Sequence, residues 1–84
     1  MATLDGNAIA GTLFALFGQE MTTAIGTCAS CREARWVGEL RVYLRGPGTV
    51  VRCPRCDNIL MVIVEAQAVT CLDLRGLAAL QPAR

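Results

Sequence analysis

Hydrophobic residues recur at helical spacing near the start of this 84-residue chain. Apolar positions three or four residues apart form one stripe on a helix, so the pattern predicts an amphipathic helix over residues 5–18. Asp5 or Asn7 can cap its first turn with a side-chain oxygen, and Gly18 can end it in a left-handed conformation. The apolar stripe consists of Ile9, Leu13, Leu16 and Phe17.

From residue 21 onward the period changes to alternation, which predicts strands. Residues 22–27 are expected to be extended. Further runs predict antiparallel strands over 37–45, 49–53, 59–65 and 69–74. In the first run, one face carries Leu40, Val42 and Leu44, and the other carries Glu39, Arg41, Tyr43 and Arg45. The expected fold class is small α+β, an N-terminal helix followed by about four antiparallel strands.

The run over 59–64 is apolar on both faces, and a strand of this kind needs cover on two sides. The N-terminal helix can cover one side, and a second subunit or a protein partner can cover the other. Composition points the same way, because 54% of the residues are hydrophobic and the mean hydropathy is +0.44. We therefore expect a homo-oligomer or a complex with a protein partner.

The length fits a single domain, residues 1–84, whose small core needs a metal, disulfides or a partner to be stable. Residues 76–84 have no clear pattern and are expected to form a short tail. No basic leader precedes the apolar segment 8–17, which is also too short to span a bilayer. We expect no membrane insertion and a cytoplasmic location, where thiols stay reduced.

Four of the five cysteines form two Cys-x-x-Cys pairs: Cys28 with Cys31, and Cys53 with Cys56. Each pair is expected in a tight turn, and the hairpin over 37–53 brings the two turns together. Zn²⁺ accepts four thiolates in a tetrahedral arrangement, and the chain has no histidine to replace one of them. The spacing predicts one zinc ion per chain, with four unliganded core cysteines as the alternative.

Metal binding changes the charge and the expected chemistry. Four thiolates and one divalent cation contribute −2 in total, so the formal charge of +1 becomes about −1. This weakens any overall electrostatic attraction to nucleic acid. A four-thiolate site has no position for a catalytic water, and the chain lacks both histidine and lysine. We therefore expect no enzymatic activity.

The two cysteine turns, within residues 25–75, resemble the knuckles of the zinc-ribbon superfamily, which implies a four-cysteine zinc ribbon. The opening segment 4–8 (LDGNA), followed by the helix and the ribbon, also resembles a family of small actinobacterial proteins with no assigned function. Zinc ribbons often have glycine after the second cysteine, where the backbone turns left-handed. Asp57 or Asn58 can adopt that conformation, but Arg32 does so less readily, so we expect a distorted first knuckle.

Iron is the main alternative metal. The sequence Cys53-Pro54-Arg55-Cys56 also resembles the Cys-Pro-x-Cys motif of rubredoxin, an electron carrier. Rubredoxins pack several aromatic residues around the iron, whereas two of the four aromatic residues of this chain lie in the predicted helix. This favours zinc.

The other chemically interesting residues have structural and functional interpretations. Cys71 is expected to be a small, buried or half-buried residue, with a reactive thiol or a fifth ligand as the alternative. Trp36 is expected to anchor the core or a hairpin, with a binding platform as the alternative. Three arginines flank cysteines and are expected to offset thiolate charge: Arg32, Arg52 and Arg55. The alternative is a surface for phosphates and a stacked base that also includes Arg41, Tyr43 and Arg45.

Three functions follow from these features. The favoured one is a zinc-binding structural or interaction module that mediates self-association or protein–protein contacts. The second is a nucleic-acid-binding ribbon that acts as a transcription accessory factor. The third is a rubredoxin-like electron carrier.

Overall fold

Antiparallel pairing organises most of the chain, as a computed structural model of residues 4–82 shows. The strands are β1 (Leu4–Asp5), β2 (Ile25–Cys28), β3 (Ala34–Trp36), β4 (Arg41–Arg45), β5 (Gly48–Arg52), β6 (Ile59–Ala66), β7 (Val69–Asp73) and β8 (Leu77–Gln81). Helix α1 spans Ala10–Phe17, and 3-10 turns span Gly6–Ile9 and Val37–Glu39. The small α+β class is confirmed.

The expectation of about four strands is wrong. The described residues contain eight strands, in a five-stranded sheet ordered β1-β4-β5-β6-β7 and a three-stranded sheet ordered β3-β2-β8. Two of the additional strands, β1 and β3, have only two and three residues. Such lengths are too short to produce a recognisable alternation in the sequence.

The N-terminal segment is helical over a shorter stretch than the predicted 5–18. Asp5 precedes the first 3-10 turn and caps it, because its Oδ1 accepts a hydrogen bond of 3.1 Å from the backbone N–H of Asn7. Helix α1 ends at Gly18, which is left-handed with φ 72°. The cap at Asp5 and the stop at Gly18 are therefore confirmed. Among residues 4–82, no helix is long and apolar enough to cross a bilayer.

The strand predicted over 37–45 begins only at Arg41. The backbone N–H of Val37 instead donates to the carbonyl of Ala24 at 2.8 Å, which bends the chain back towards β2. The carbonyl of Val37 itself lies so close to Gly6 that a Cβ added to Gly6 would lie 1.9 Å from the Val37 oxygen. These backbone contacts override the alternating pattern over the first residues of the run.

One cluster of buried side chains joins the helical segment to both sheets. It consists of Ile9, Leu13, Met21, Ala24, Cys28, Val37, Leu40, Val42, Val51, Cys53, Leu60, Met61 and Ile63. Leu40 and Val42 belong to it as predicted, but Leu44 is 45% exposed because it lies near the end of the β4–β5 hairpin. Two cysteines of the paired motifs thus lie within the main core.

Strand β6 is apolar on both faces but is covered on only one. Met61 and Ile63 are 1% and 0% exposed in the core, whereas Ile59 and Val64 on the other face are 42% and 36% exposed. A register shift between β5 and β6 leaves Leu60 as an extra residue, and this residue is buried as well. The expectation of cover on two sides is not met within the described residues of one chain.

The uncovered side of the five-stranded sheet is called the outer face here. By the strand register it consists of Arg41, Tyr43, Arg45, Val50, Arg52, Ile59, Val62, Val64, Val69, Cys71 and Asp73. Basic residues are concentrated on β4 and at the end of β5, and apolar residues on β5, β6 and β7.

The segment predicted as a tail, 76–84, forms a strand over most of its described part. Strand β8 pairs antiparallel with β2, and the carbonyl of Gly76 accepts a hydrogen bond of 2.9 Å from the N–H of Ala29. A Cβ on Gly76 would lie 1.8 Å from the backbone oxygen of Ile59, so only glycine fits there. The sequence Leu-Ala-Ala-Leu has no alternation to signal this strand. Residues 83 and 84 lie outside the described part of the chain.

Candidate metal centre

The first cysteine pair lies in a turn at the end of β2. The N–H of Cys28 donates to the carbonyl of Glu33 at 2.9 Å, and the N–H of Arg32 donates to the carbonyl of Cys28 at 3.0 Å. Within this loop, the N–H groups of Ser30 and Cys31 lie 3.4 Å and 3.5 Å from Cys28 Sγ. The turn therefore directs backbone donors at a sulfur, which stabilises its thiolate form.

The second pair has the same backbone arrangement after β5. The N–H of Cys53 donates to the carbonyl of Asn58, and the N–H of Asp57 donates to the carbonyl of Cys53, both at 2.9 Å. Arg32 and Asp57 occupy equivalent positions and have φ angles of 65° and 64°. The expectation of a distorted first knuckle is therefore wrong, because Arg32 adopts the left-handed conformation that the turn requires.

The two turns bring four sulfur atoms together. Sγ atoms of Cys28, Cys31, Cys53 and Cys56 all lie within 4.8 Å of one another. Cys28 Sγ is 3.6 Å from Cys56 Sγ, and Cys31 Sγ is 3.7 Å from Cys53 Sγ. A tetrahedral ion with metal–sulfur distances of about 2.3 Å requires sulfur–sulfur distances of about 3.8 Å. The four residues thus fit a tetrathiolate metal site.

Burial of the centre is uneven. Cys28 and Cys53 are each 2% exposed, whereas Cys31 is half-buried and Cys56 is exposed. The first cysteine of each pair therefore faces the core and the second faces the surface. A metal held here would link the core to the two surface loops.

The sulfur atoms influence one another's ionisation. Burial opposes ionisation of Cys28, but the N–H groups of Cys31 and Ser30 and the neighbouring thiols outweigh it and lower its pKa to about 6. At Cys31, the N–H of Glu33 favours the thiolate, but burial and the adjacent sulfurs raise the pKa to about 11. Without a cation, negative charge therefore concentrates at Cys28, and a bound divalent ion would allow all four to ionise.

The arginines near the cysteines pair with carboxylates. Arg35 and Arg55 lie 3.1 Å and 3.5 Å from the carboxylate of Glu33, so an ion pair links the two knuckles. Arg52 lies 3.6 Å from the carboxylate of Asp57 and also donates to its backbone carbonyl at 3.0 Å. Arg52 and Arg55 thus contact acidic residues of the knuckles, whereas they were expected to offset thiolate charge. Exposed pairs of this kind contribute only about 0–1 kcal/mol each.

Two contacts at the centre were not predicted from the sequence. The Nδ2 of Asn58 lies 3.8 Å from Cys28 Sγ and acts as a donor to it. Gly76 holds the first knuckle through its bond to Ala29. An amide side chain two residues after Cys56 is a signal that could have indicated Asn58, because sulfur ligands commonly accept such hydrogen bonds. Nothing in the sequence near Gly76 indicates its contact with a loop so far away in the chain.

The candidate ligand surface lies on the outer face. Arg41, Tyr43 and Arg45 share that side of β4, with both arginines exposed and Tyr43 half-buried. The guanidinium carbon of Arg52 lies 5.9 Å from the centroid of the Tyr43 ring, in a cation–π arrangement. A shallow cavity of about 480 Å³ is lined by Tyr43, Arg45, Val50, Arg52, Asp57 and Ile59.

Two further sequence expectations are wrong. Cys71 was expected to be buried or half-buried, but it is exposed in β7 and lies outside the four-sulfur cluster. Trp36 was expected to anchor the core or a hairpin, but it is 57% exposed in β3. Strand β3 lies at the edge of its sheet, and β7 begins at the turn of a hairpin that extends past the core.

Comparison with known proteins assigns the chain to a family but to no activity. No curated protein and no solved structure matches it. A family model described as a family of unknown function (DUF6510) matches residues 1–84, the whole chain. The expected resemblance to a family without an assigned function is thereby confirmed. The chain belongs to the family of unknown function DUF6510.

Proposed function

We propose that the protein is a non-catalytic interaction module in which one structural Zn²⁺, held by the two knuckles, stabilises the fold of a zinc ribbon. The observation that carries this proposal is the sulfur geometry, with distances of 3.6 Å and 3.7 Å close to the edge of a Zn–S₄ tetrahedron. Cys28, Cys31, Cys53 and Cys56 would hold the ion. When bound, the metal would offset half of the thiolate charge and cross-link the two loops.

Zinc suits these ligands better than iron for two reasons. Zn²⁺ has no geometric preference of its own, and four thiolates in a closed set are typical of structural zinc sites. A rubredoxin-like carrier packs aromatic residues around its iron, but here Phe14 and Trp36 are 54% and 57% exposed, and Tyr43 lies on the outer face. A reducing compartment such as the cytoplasm would keep the thiolates available.

A structural metal also explains how so small a chain becomes stable. The buried cluster contains only 13 residues, two of which are cysteines of the centre. Chains of this size often need a metal in addition to their hydrophobic core. Apparent zinc-binding free energies of about 10–16 kcal/mol in finger peptides are as large as the whole stability of a typical domain. Metal binding and folding should therefore be one process.

The outer face supports the interaction part of the proposal. Ile59, Val64 and Val69 are 42%, 36% and 62% exposed on it, next to half-buried Val50 and Val62. Contiguous apolar surface of this kind marks sites of protein–protein contact. The cover that β6 lacks within one chain would come from another chain.

The experiment is metal removal from the purified full-length protein. We expect one zinc per chain by elemental analysis, loss of the far-UV circular dichroism spectrum of the folded state on chelation, and recovery on adding Zn²⁺. Adding Mg²⁺, which prefers oxygen ligands, is the matched control and should not restore the fold. A chelated protein that keeps its fold, or a preparation that is red and contains iron, would exclude a structural zinc.

A second candidate function, nucleic-acid binding, is favoured by one observation. Arg41 and Arg45 are exposed on the same side of β4, with Tyr43 between them and Arg52 on the neighbouring strand. Arginines of this kind can contact phosphates while an aromatic ring stacks on a base. However, Arg52 already lies over the Tyr43 ring, so one face of the aromatic platform is taken.

A fluorescence anisotropy titration with a single-stranded RNA probe tests this second candidate. Arg41→Gln and Arg45→Gln, each with zinc bound, should weaken binding and reduce its dependence on salt by about one counterion each. Arg75→Gln, which lies just after β7 at the opposite edge of the sheet from β4, is the matched control. Binding that is absent at low salt, or insensitive to both substitutions, would remove this candidate.

A further inference from the structure

The end of the β6–β7 hairpin extends beyond the core as an arm. Every residue over 64–72 is exposed, on both faces of the two strands. Strand β7 is the last in its sheet, so one of its edges has no partner strand among the described residues. Beyond Glu65, whose N–H donates to the carbonyl of Pro47 at 3.0 Å, the arm is a two-stranded hairpin, and an isolated hairpin is at best marginally stable in water. The arm would therefore gain stability from another strand.

The register determines which backbone groups of β7 point outward. Strands β6 and β7 are joined by a two-residue turn, and the pair that closes such a turn is hydrogen-bonded. Hydrogen-bonded and non-hydrogen-bonded pairs then alternate, so every second residue of β7 from Val69 onward bonds to β6. The N–H and C=O groups of Thr70 and Leu72 consequently point away from the sheet.

We infer that two copies of the chain pair through β7, antiparallel about a two-fold axis at Cys71. Cys71 is the middle residue of β7, so this register aligns the whole strand with its copy. Thr70 then lies opposite Leu72 of the partner subunit, and such a pair exchanges both of its N–H···O bonds. An axis centred on Thr70 or Leu72 would place one end of β7 opposite residues outside the strand of the copy. The result is one continuous sheet across the dimer.

The side chains of β7 suit pairing with an identical strand. Residues 69–72 contain no charge and no proline, and Cys71 would meet Cys71 of the partner subunit as a small, uncharged pair. The first charged residue, Asp73, is bound by Arg75 at 2.7 Å and would lie opposite Val69 of the partner subunit. No like charges face each other across the axis, and such repulsion is what usually prevents self-pairing.

Other strand edges carry the features that block pairing. Strand β1 has two residues, and β3 has three, including Arg35. Strand β8 is irregular where it meets β2 and is followed by Pro82. Short length, charge, bulges and proline all protect edges from unwanted partners. Strand β7 pairs with β6 without a register shift, contains no proline, and has its one charged residue, Asp73, at its end.

This inference rests on the proposed interaction function and names a second copy of the chain as the partner. The dimer brings together the exposed apolar residues Val64 and Val69 of both copies. Their outer faces then form one continuous face, which the pairing through β7 extends but does not cover.

Matched substitutions at the axis test the pairing in the zinc-loaded full chain. Cys71→Glu places two like charges opposite each other, whereas Cys71→Gln has nearly the same shape without the charge. By sedimentation and native mass spectrometry, Cys71→Glu should raise the dimer dissociation constant at least roughly fivefold relative to Cys71→Gln. Thr70→Pro removes an outward N–H but spares the bonds to β6, so it should also give monomers, whereas Thr70→Val should not.

A cross-linking measurement tests the register itself. Opposed residues in a non-hydrogen-bonded pair have Cα atoms about 4.5 Å apart, within the range of about 4.4–6.8 Å for disulfides. Diamide takes two electrons and two protons from the two Cys71 thiols, and an S–S bond forms between the subunits. We expect peptide mapping of the zinc-loaded protein to find this bond, and Cys71→Ser to remain uncross-linked.

Native mass spectrometry measures bound metal and subunit number on the same species. A failure of the pairing can therefore be distinguished from a failure of the structural zinc. A zinc-loaded monomer would overturn the pairing and leave the metal module intact. A zinc-loaded dimer that survives Cys71→Glu, or that forms no Cys71–Cys71 bond, would also overturn the pairing. A folded dimer without metal would overturn the structural zinc instead.

Discussion

Arg32 and Asp57 occupy the same position in two nearly identical turns. Each follows the second cysteine of its pair, each is left-handed with φ of 65° and 64°, and each donates its N–H to the carbonyl of the first cysteine. The two donor–acceptor distances are 3.0 Å and 2.9 Å. The backbone of the turn is thus the same in both knuckles, although one uses a residue well suited to it and the other does not.

Replacing Arg32 by glycine should stabilise the zinc-loaded protein. A non-glycine residue in the left-handed region costs about 1–2 kcal/mol. Because glycine also increases the entropy of the unfolded chain, Arg32→Gly should raise the free energy of unfolding by about 1 kcal/mol. Thermal unfolding in excess zinc measures this gain. Arg55→Gly also replaces an arginine of a knuckle by glycine, but at a position where φ is not positive, and should give no gain. Equal effects of the two substitutions would contradict this explanation.

Replacing a cysteine of the centre should unfold most of the chain. Cys53 is 2% exposed and belongs to both the core and the sulfur cluster, so Cys53→Ser removes a ligand on which folding depends. The lost binding free energy, about 10–16 kcal/mol in finger peptides, exceeds the stability of most small domains. Cys71→Ser changes an exposed residue and should alter stability by less than about 0.5 kcal/mol. Circular dichroism and bound zinc, measured on both variants, distinguish the two positions.

Gly76 should be intolerant of any side chain. An added Cβ would lie 1.8 Å from the backbone oxygen of Ile59, so Gly76→Ala must displace β8 and should cost at least about 2 kcal/mol. Gly11→Ala is the matched control, because no atom lies within 4 Å of its added Cβ. That substitution should stabilise α1 by about 1 kcal/mol. Chemical denaturation should show opposite changes in the free energy of unfolding for the two variants. A Gly76→Ala protein as stable as the unaltered one would show that β8 is not held as described.

Acid should release the metal and unfold the protein together. The pKa of Cys28 is lowered to about 6. Its thiolate therefore contributes fully to the stability of the folded state above its ordinary pKa of 9.0, and this contribution is lost as the pH falls through about 6. Protons also compete with the metal at all four thiolates, so a falling pH releases the metal as well. A zinc indicator and circular dichroism should therefore change at the same pH. Asp73→Asn, which removes an exposed carboxylate whose pKa is lowered by Arg75, should not move that midpoint.

The cysteine centre was the most predictable part of the molecule. A metal site constrains residue type and spacing at once, so Cys28, Cys31, Cys53 and Cys56 could be grouped without knowledge of the fold. The central strands β4, β5 and β6 also gave alternating or continuous apolar runs. The Asp5 cap and the Gly18 stop followed from local chemistry that does not depend on distant contacts.

The remaining features depend on contacts between distant parts of the chain. Strand β8 exists because it pairs with β2 and because Gly76 fits against Ile59, and neither contact leaves a local pattern. Val37 leaves the predicted strand because Ala24 accepts its N–H. The exposure of Cys71 follows from the length of the hairpin arm beyond the core, which alternation alone does not specify.

The most direct test of a structural zinc centre is X-ray absorption spectroscopy at the zinc edge, on the purified full-length protein with one metal per chain. We predict a single shell of four sulfur atoms at about 2.3 Å and no nitrogen or oxygen ligand. Cys56→Ser, which changes the most exposed ligand, should alter that shell or abolish binding. A shell that contains nitrogen or oxygen in the unaltered protein, or protein that folds without any metal, would contradict the account.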